Sequence, residues 1–200
     1  MSEDKRAATK VKCSNSGGDR HRWGDRDEYR DFWASRAELA ATLVPDRASI
    51  LEIGVGLGAF RALVAGRCDY LGADLVPLDE ATAPLDVELD PLPSGTFDFV
   101  VMLGVLEYLH APEAALAKIF ATCQRVLLSY CAVREMQAEV VAIRRERGWL
   151  NDYSSADLIE IAERRGWRLQ QALPYNEAPD FVQSIFLFEC ASQGLDDRRN

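Results

Sequence analysis

Short apolar runs alternate with stretches of helical spacing along most of this chain. SILEI (Ser49 to Ile53), DYLGAD ending on Asp74, FDFVVML (Phe97 to Leu103) and RVLLSYC (Arg125 to Cys131) each read as a buried strand. WRLQQAL and QSIFLFEC, near the end, read as two more. Between them the apolar positions recur every three or four residues. Tyr29, Phe32, Trp33, Ala40 and Leu43, followed by Pro45, predict an amphipathic helix over 25–44. Phe60, Leu63 and Val64 predict a helix stopped by Gly66, and Leu116, Ile119 and Phe120 one with Pro112 in its first turn. Met136, Val140 and Ile143 mark another. Ser154 and Asp157 form a capping box ahead of Leu158, Ile161 and Ala162, and Gly166 closes that helix. Strands that are continuously apolar and alternate with helices imply a mostly parallel sheet covered on both faces.

Composition narrows the class. The 200 residues suffice for one domain with one core, expected over 21–192, with polar tails at 1–20 and 193–200. A net charge of −9 repels phosphates and disfavours a nucleic-acid partner. No apolar run approaches the ~20 residues of a membrane span, and the polar N-terminus is no secretory signal. Five scattered cysteines without a C-x-x-C pair read as reduced thiols, so a cytoplasmic location is expected. His21 and His110 are too far apart to make a metal site. The basic run Arg144, Arg145 and Arg147 reads as a solvated helix face.

The informative segment is Glu52-Ile53-Gly54-Val55-Gly56-Leu57-Gly58, a glycine-rich turn between a buried strand and a helix. Such a turn lets a ligand touch backbone and meet the free amides of the helix. The dinucleotide fingerprint is G-x-G-x-x-G, whereas this turn is G-x-G-x-G preceded by an acid. An acid there repels a pyrophosphate and suits a cation. S-adenosylmethionine, with an ammonium, a sulfonium and a single carboxylate, fits that charge better than NAD. A nicotinamide oxidoreductase is further disfavoured by the lack of a Tyr-x-x-x-Lys site. Asp74 lies 20 residues after Gly54, a spacing that suits a carboxylate accepting from ribose hydroxyls.

The ordered set ILEIGVGLGAF, YLGADL and DVELDPLPSGTFDFVVMLGVLEYLHAPEAAL resembles the small class I S-adenosylmethionine-dependent methyltransferases, near the MetW-like and ubiquinone-type groups. The resemblance implies a Rossmann-like fold with a mostly parallel seven-stranded sheet and helices on both faces. It implies that Glu52, Gly54, Gly56 and Gly58 hold the methionine part of the cofactor, and that Asp74, beside Leu75, holds the ribose. Asp86 with the amide of Val87 would read the adenine, and Leu103 with Gly104 would line the pocket behind the sulfonium. One departure stands out. About a dozen residues, interrupted by Pro77 and Pro84, join Asp74 to Asp86, so the fold is expected to be trimmed between strands 2 and 4.

Methyl transfer from a sulfonium is an in-line displacement in which the protein mainly positions and desolvates the reactants. No metal is required. The catalytic candidates are Tyr108, where similar enzymes often have histidine, and His110; for each a structural role stays open. Tyr108 could be half-buried with its hydroxyl satisfied locally, and His110 could serve the start of the helix at Pro112. Trp149, Asn151, Asp152 and Tyr153 form a cluster that could cover the substrate, or a loop with Trp149 in the core. The helix over 25–44 could be a lid. The leading expectation is methyl transfer to a small-molecule or sugar-containing acceptor. The alternative is a binding or regulatory module of the same fold that partners another protein without turnover.

Overall fold

The computed structural model describes residues 19–23 and 33–191. Its elements, in chain order, are α1 (Arg20–Trp23), α2 (Trp33–Ala41), β1 (Ser49–Ile53), α3 (Ala59–Val64), β2 (Asp69–Asp74), β3 (Thr82–Pro84), β4 (Phe97–Leu103), α4 (Pro112–Phe120), β5 (Cys123–Val133), α5 (Ala138–Glu146), α6 (Ser155–Glu163), β6 (Trp167–Ala178) and β7 (Phe181–Cys190). A single 3-10 turn, Leu106–Tyr108, follows β4.

The seven strands form one sheet in the order β3-β2-β1-β4-β5-β7-β6. Every neighbouring pair is parallel except those made by β7, which runs antiparallel to both β5 and β6. The expected seven-stranded, mostly parallel sheet is therefore present. The central strands are apolar on both sides because both faces are covered. One face carries Leu51, Val100, Met102, Val126, Leu128 and Phe186 against α4 and α6. The other carries Ile50, Phe99, Val101, Leu127 and Ile185 against Ala37, Ala40, Phe60 and Val64 of α2 and α3. β1 has β2 on one side and β4 on the other, so the chain order reverses there. Such a switch point opens a crevice at the carboxyl ends of the two central strands.

The trimming expected between strands 2 and 4 is also present. β3 has three residues, and residues 75–81 and 85–96 form turns and extended chain with no helix. The Ser154–Asp157 capping box forms as predicted: each side chain accepts from the other's backbone amide.

Two expectations need correction, and a third lies partly outside the described residues. Residues 19 and 20 were assigned to a tail, but Arg20 begins α1. The helix predicted over 25–44 is helical from Trp33 to Ala41; residues 24–32, and with them Tyr29 and Phe32, lie outside the described residues, as do 1–18 and 192–200. The α5 face predicted from Met136, Val140 and Ile143 is rotated. Met136 and Ile143 are exposed, while Val140 and Arg144 are buried. Arg144, expected on a solvated face, is 2% exposed. It is held by Asp152 at 2.8 Å, the Cys131 carbonyl at 2.7 Å, the Tyr130 hydroxyl at 3.0 Å and the Asn151 carbonyl at 2.8 Å. Five guanidinium donors so nearly satisfied let an arginine replace an apolar residue in a helix's inner face. Asp152 is correspondingly paired with Arg144 and Arg145, and Arg145 beside it holds its carboxyl below the usual range.

Candidate active site

The crevice at the carboxyl end of β1 is a cavity of about 460 Å³, within the range of ligand pockets. Its floor is the β1–α3 turn. Gly54, Gly56 and Gly58 all take positive φ (86°, 54° and 78°), which turns the chain sharply out of the strand. At Gly54 a Cβ would sit 2.3 Å from Cγ2 of Val105, so only glycine lets the β4 loop close against the turn. Gly54, Gly56 and their neighbours Val55 and Leu57 line the cavity. Gly58 does not: it is the N-terminal cap of α3, and its contribution is the turn itself.

Three acids expected from the sequence converge on this cavity. Glu52, the penultimate residue of β1, is 2% exposed and accepts a hydrogen bond from the Tyr70 hydroxyl. Burial pushes its carboxyl up to about 8, against the lowering pull of Tyr70 and of Arg61 and Arg36. Asp74 ends β2. Its Oδ2 accepts from the Gly56 amide at 2.8 Å and its Oδ1 from the Val76 amide at 3.1 Å. Burial raises its carboxyl too, opposed by the amides of Gly56, Val76 and Leu75. Asp86 follows β3 and is 4% exposed. The amide of Glu88 donates to it, and Arg20 of α1 reaches within 3.9 Å of its Oδ2 while donating to the Leu75 carbonyl at 2.6 Å. Leu75, Val87, Leu103 and Gly104 complete this side.

The other wall is aromatic and was not foreseen in full. Trp23 of α1, Trp33 of α2 and Tyr108 line the cavity together. Trp23 and Tyr108 meet edge to face at 4.7 Å between centroids, and the Arg22 guanidinium lies near both rings at 5.1 and 5.2 Å. Arg22 also donates to the Arg147 carbonyl at 2.9 Å, which ties α1 to the loop after α5. Burial raises the Tyr108 phenol's pKa further above neutrality. Trp149 itself is buried, packed between Arg144 and Arg147. Asn151 and Tyr153 bond the Tyr130 hydroxyl, so this crossing buttresses the site from behind. None of these four lines the cavity.

His110 lies outside this lining, beside the start of α4. It is exposed, absent from the cavity lining, and its Nδ1 lies 3.4 Å from Glu88, whose other oxygen caps the Ala111 amide at 2.6 Å. Ala111, between it and Pro112, is the N-terminal cap of α4. Among the described residues no cluster of histidine, cysteine or acids could hold a metal ion, and no helix is long and apolar enough to cross a membrane.

The acids, the glycine floor and the cavity volume suit a ligand with cationic and ribose parts. The family comparison decides the matter: the family model described as "Methyltransferase domain" matches residues 25–172. The chain belongs to that methyltransferase family. It is an S-adenosylmethionine-dependent methyltransferase by that membership, and S-adenosylmethionine is its cofactor. Solved structures agree on the fold. Magnesium protoporphyrin IX methyltransferase from Synechocystis PCC 6803, with bound S-adenosylmethionine, superposes with a TM-score of 0.61 at 13% identity, over 84% of this chain and 89% of that one. Mitomycin 7-O-methyltransferase superposes with a TM-score of 0.60 at 16% identity, over 82% of this chain and 56% of that one. The N-terminal domain of EvdMO1, with S-adenosylhomocysteine bound, gives 0.56 at 18% identity, over 78% and 80%. No curated protein sequence matches the chain.

Sequence reasoning missed Tyr70, Trp23 and Arg36 as parts of this region. Tyr70 lies two residues before Gly72, where a Cβ would come within 2.7 Å of the tyrosine oxygen. A glycine inside an apolar strand was the available signal.

Proposed function

We propose that this methyltransferase acts on a small molecule taken into the cavity beneath α1 and α2, rather than on a polymer. The observation that carries the reading is the mixed lining of this one cavity: the acids Glu52, Asp74 and Asp86, and the rings of Trp23, Trp33 and Tyr108. The acids suit the cofactor, the rings an apolar acceptor. Support also comes from the net charge of −9, which disfavours nucleic acid.

When bound, S-adenosylmethionine supplies an electrophilic methyl group on a sulfonium. Glu52 and the turn of Gly54 and Gly56 would hold its amino-acid part, the carboxylate of Glu52 being drawn into its ionised form by the ammonium. Asp74 would accept from the ribose hydroxyls, and Asp86 with the Val87 amide would hold the adenine. Trp23, Trp33 and Tyr108 exclude water and narrow the approach of the acceptor, which is where most of the rate enhancement of such a displacement arises. Tyr108, with its pKa raised, is a neutral hydrogen-bond donor at physiological pH. Its role is orientation of the acceptor, not proton abstraction. Residues 33–41, as part of the N-terminal region, would act as the lid. Within the family, the LEYL block at Leu106–Leu109 speaks for the MetW-like and ubiquinone-type groups.

The test is transfer of a labelled methyl group from S-adenosylmethionine to a panel of small hydroxylated and amino acceptors, with nucleic acid and protein extracts beside them. Label recovered in small molecules supports the reading. Label recovered only in macromolecules overturns it, and cofactor binding without transfer to any acceptor favours the partner-module alternative.

A further inference from the structure

β1 and β2 run parallel, with Ile50 beside Tyr70 and Glu52 beside Gly72. Side chains two apart on a strand share a face. Ile50 and Tyr70 pack with residues of α2 and α3, so Glu52 and Gly72 belong to that same covered face. Gly72 puts no side chain between Glu52 and Tyr70. A Cβ there would lie 2.7 Å from the Tyr70 oxygen, 3.1 Å from its Cε1 and 2.9 Å from Cγ2 of Val55. The bare glycine is what gives the phenol room to place its hydroxyl on Glu52, where it donates to Oε2.

Glu52 lines the cavity and is 2% exposed, whereas Tyr70 is half-buried and does not line it. A carboxylate buried this far is costly to ionise unless its oxygens are held by donors. The charged groups around it come from three elements. Arg61 of α3 is turned to Asp79, with Nη1 at 3.1 Å, and to the Thr82 hydroxyl at 3.2 Å. Arg36 of α2 lies across Gly104, and Asp74 of β2 accepts from the amides of Gly56 and Val76. These three act on Glu52 through their charge. Tyr70 acts through a bond to one named oxygen. With Oε2 fixed, the rotation of the carboxylate is fixed, and with it the place of Oε1.

Resting on the assignment of Glu52 to the cofactor's ammonium, we propose that Tyr70 is a positioning residue for S-adenosylmethionine, its hydroxyl holding the Glu52 carboxylate in the orientation that meets the ammonium. The same hydrogen bond favours the ionised form of Glu52, against the burial that pushes it up to about 8. The phenol stays a donor throughout, because burial and the neighbouring Glu52 raise its own pKa far above neutrality.

The experiment compares the wild type, Tyr70→Phe, Glu52→Gln and the double variant by calorimetric titration at pH 7. Two ligands are used: S-adenosylhomocysteine, and 5′-methylthioadenosine, which keeps the nucleoside and the sulfur but has no amino-acid part. Tyr70→Phe is expected to weaken S-adenosylhomocysteine about tenfold, the scale of a hydrogen bond to a charged group, with the fold retained by circular dichroism. Its effect on 5′-methylthioadenosine should stay within about twofold. In the Glu52→Gln background the same substitution should change S-adenosylhomocysteine affinity by no more than about twofold. In a carbon-13 NMR titration the Glu52 carboxyl, assigned by its loss in Glu52→Gln, should ionise at higher pH in Tyr70→Phe than in the wild type. Equal losses for both ligands overturn the inference, as does a loss that persists in the Glu52→Gln background or an unmoved Glu52 midpoint. If Glu52→Gln weakens S-adenosylhomocysteine and Tyr70→Phe does not, the inference falls and the assignment of Glu52 stands. If Glu52→Gln leaves that affinity unchanged, the assignment falls and the inference falls with it.

Discussion

Glu52 links cofactor, proton and stability in one carboxyl group. In the unfolded chain it titrates near 4.5; in the fold, burial pushes it to about 8. The folded protein therefore holds this proton more tightly than the unfolded chain does. Stability from this group is fully present below pH 4.5 and is lost as pH rises through about 8. The gap, at about 1.4 kcal/mol per pH unit, sets a ceiling of about 5 kcal/mol. Tyr70, Arg61, Asp74 and Arg36 all act on the group within that value, and a window opening at pH 5, above the unfolded pKa, captures part of the ceiling. Guanidinium melts of the wild type and of Glu52→Gln at half-unit steps from pH 5 to 8.5 isolate the contribution, because the variant keeps the shape and cannot ionise. The wild type should lose stability relative to the variant across this window, by about 2–4 kcal/mol. S-adenosylmethionine, whose ammonium favours the ionised form, should bind up to tenfold more tightly per pH unit as pH rises toward 8, and Glu52→Gln should flatten that dependence. Parallel stability curves for the two proteins would refute the reasoning.

Gly54→Ala forces a side chain into positive φ and against Val105, so it should destabilise by about 1–3 kcal/mol and abolish measurable cofactor binding, read by thermal melting and titration. Arg144→Met removes the cation from Asp152, the Cys131 carbonyl and Tyr130; a loss of about 3 kcal/mol in denaturant melts is expected, and a loss under 1 kcal/mol would contradict the buried role. Ser154→Ala breaks the capping box and should cost about 1 kcal/mol with no effect on cofactor affinity. His110→Ala should leave kcat and KM for any acceptor within about twofold, since the imidazole is exposed and does not line the cavity.

The sequence was most readable where local and global demands coincide. The four central strands, the glycine turn and the Ser154 cap each carry a signal within a few residues, and β1, β2 and β4 begin and end where SILEI, DYLGAD and FDFVVML do. β5 to β7 run longer than their apolar cores because antiparallel pairing with β7 extends past the buried segment. Arg144 shows why charge runs mislead: its burial depends on partners 7 to 14 residues away in a loop and a strand, which no helical period encodes. Arg36 likewise reads as an ordinary surface position on α2 until β4, β5 and β6 are brought together around it. Of the expected cofactor residues, all but Gly58 line the cavity, since acids at strand ends beside a glycine turn are positioned by the strands themselves. Trp23 comes from the short helix Arg20–Trp23, too brief for any period in the sequence to give it a register.

The most direct measurement of the central claim is calorimetric titration of the protein with S-adenosylmethionine, repeated with Asp74→Ala. The account predicts micromolar binding by the wild type and a loss of at least tenfold in the variant, with the fold retained by circular dichroism. Absence of binding by the folded wild type, or equal affinity in the variant, would contradict it.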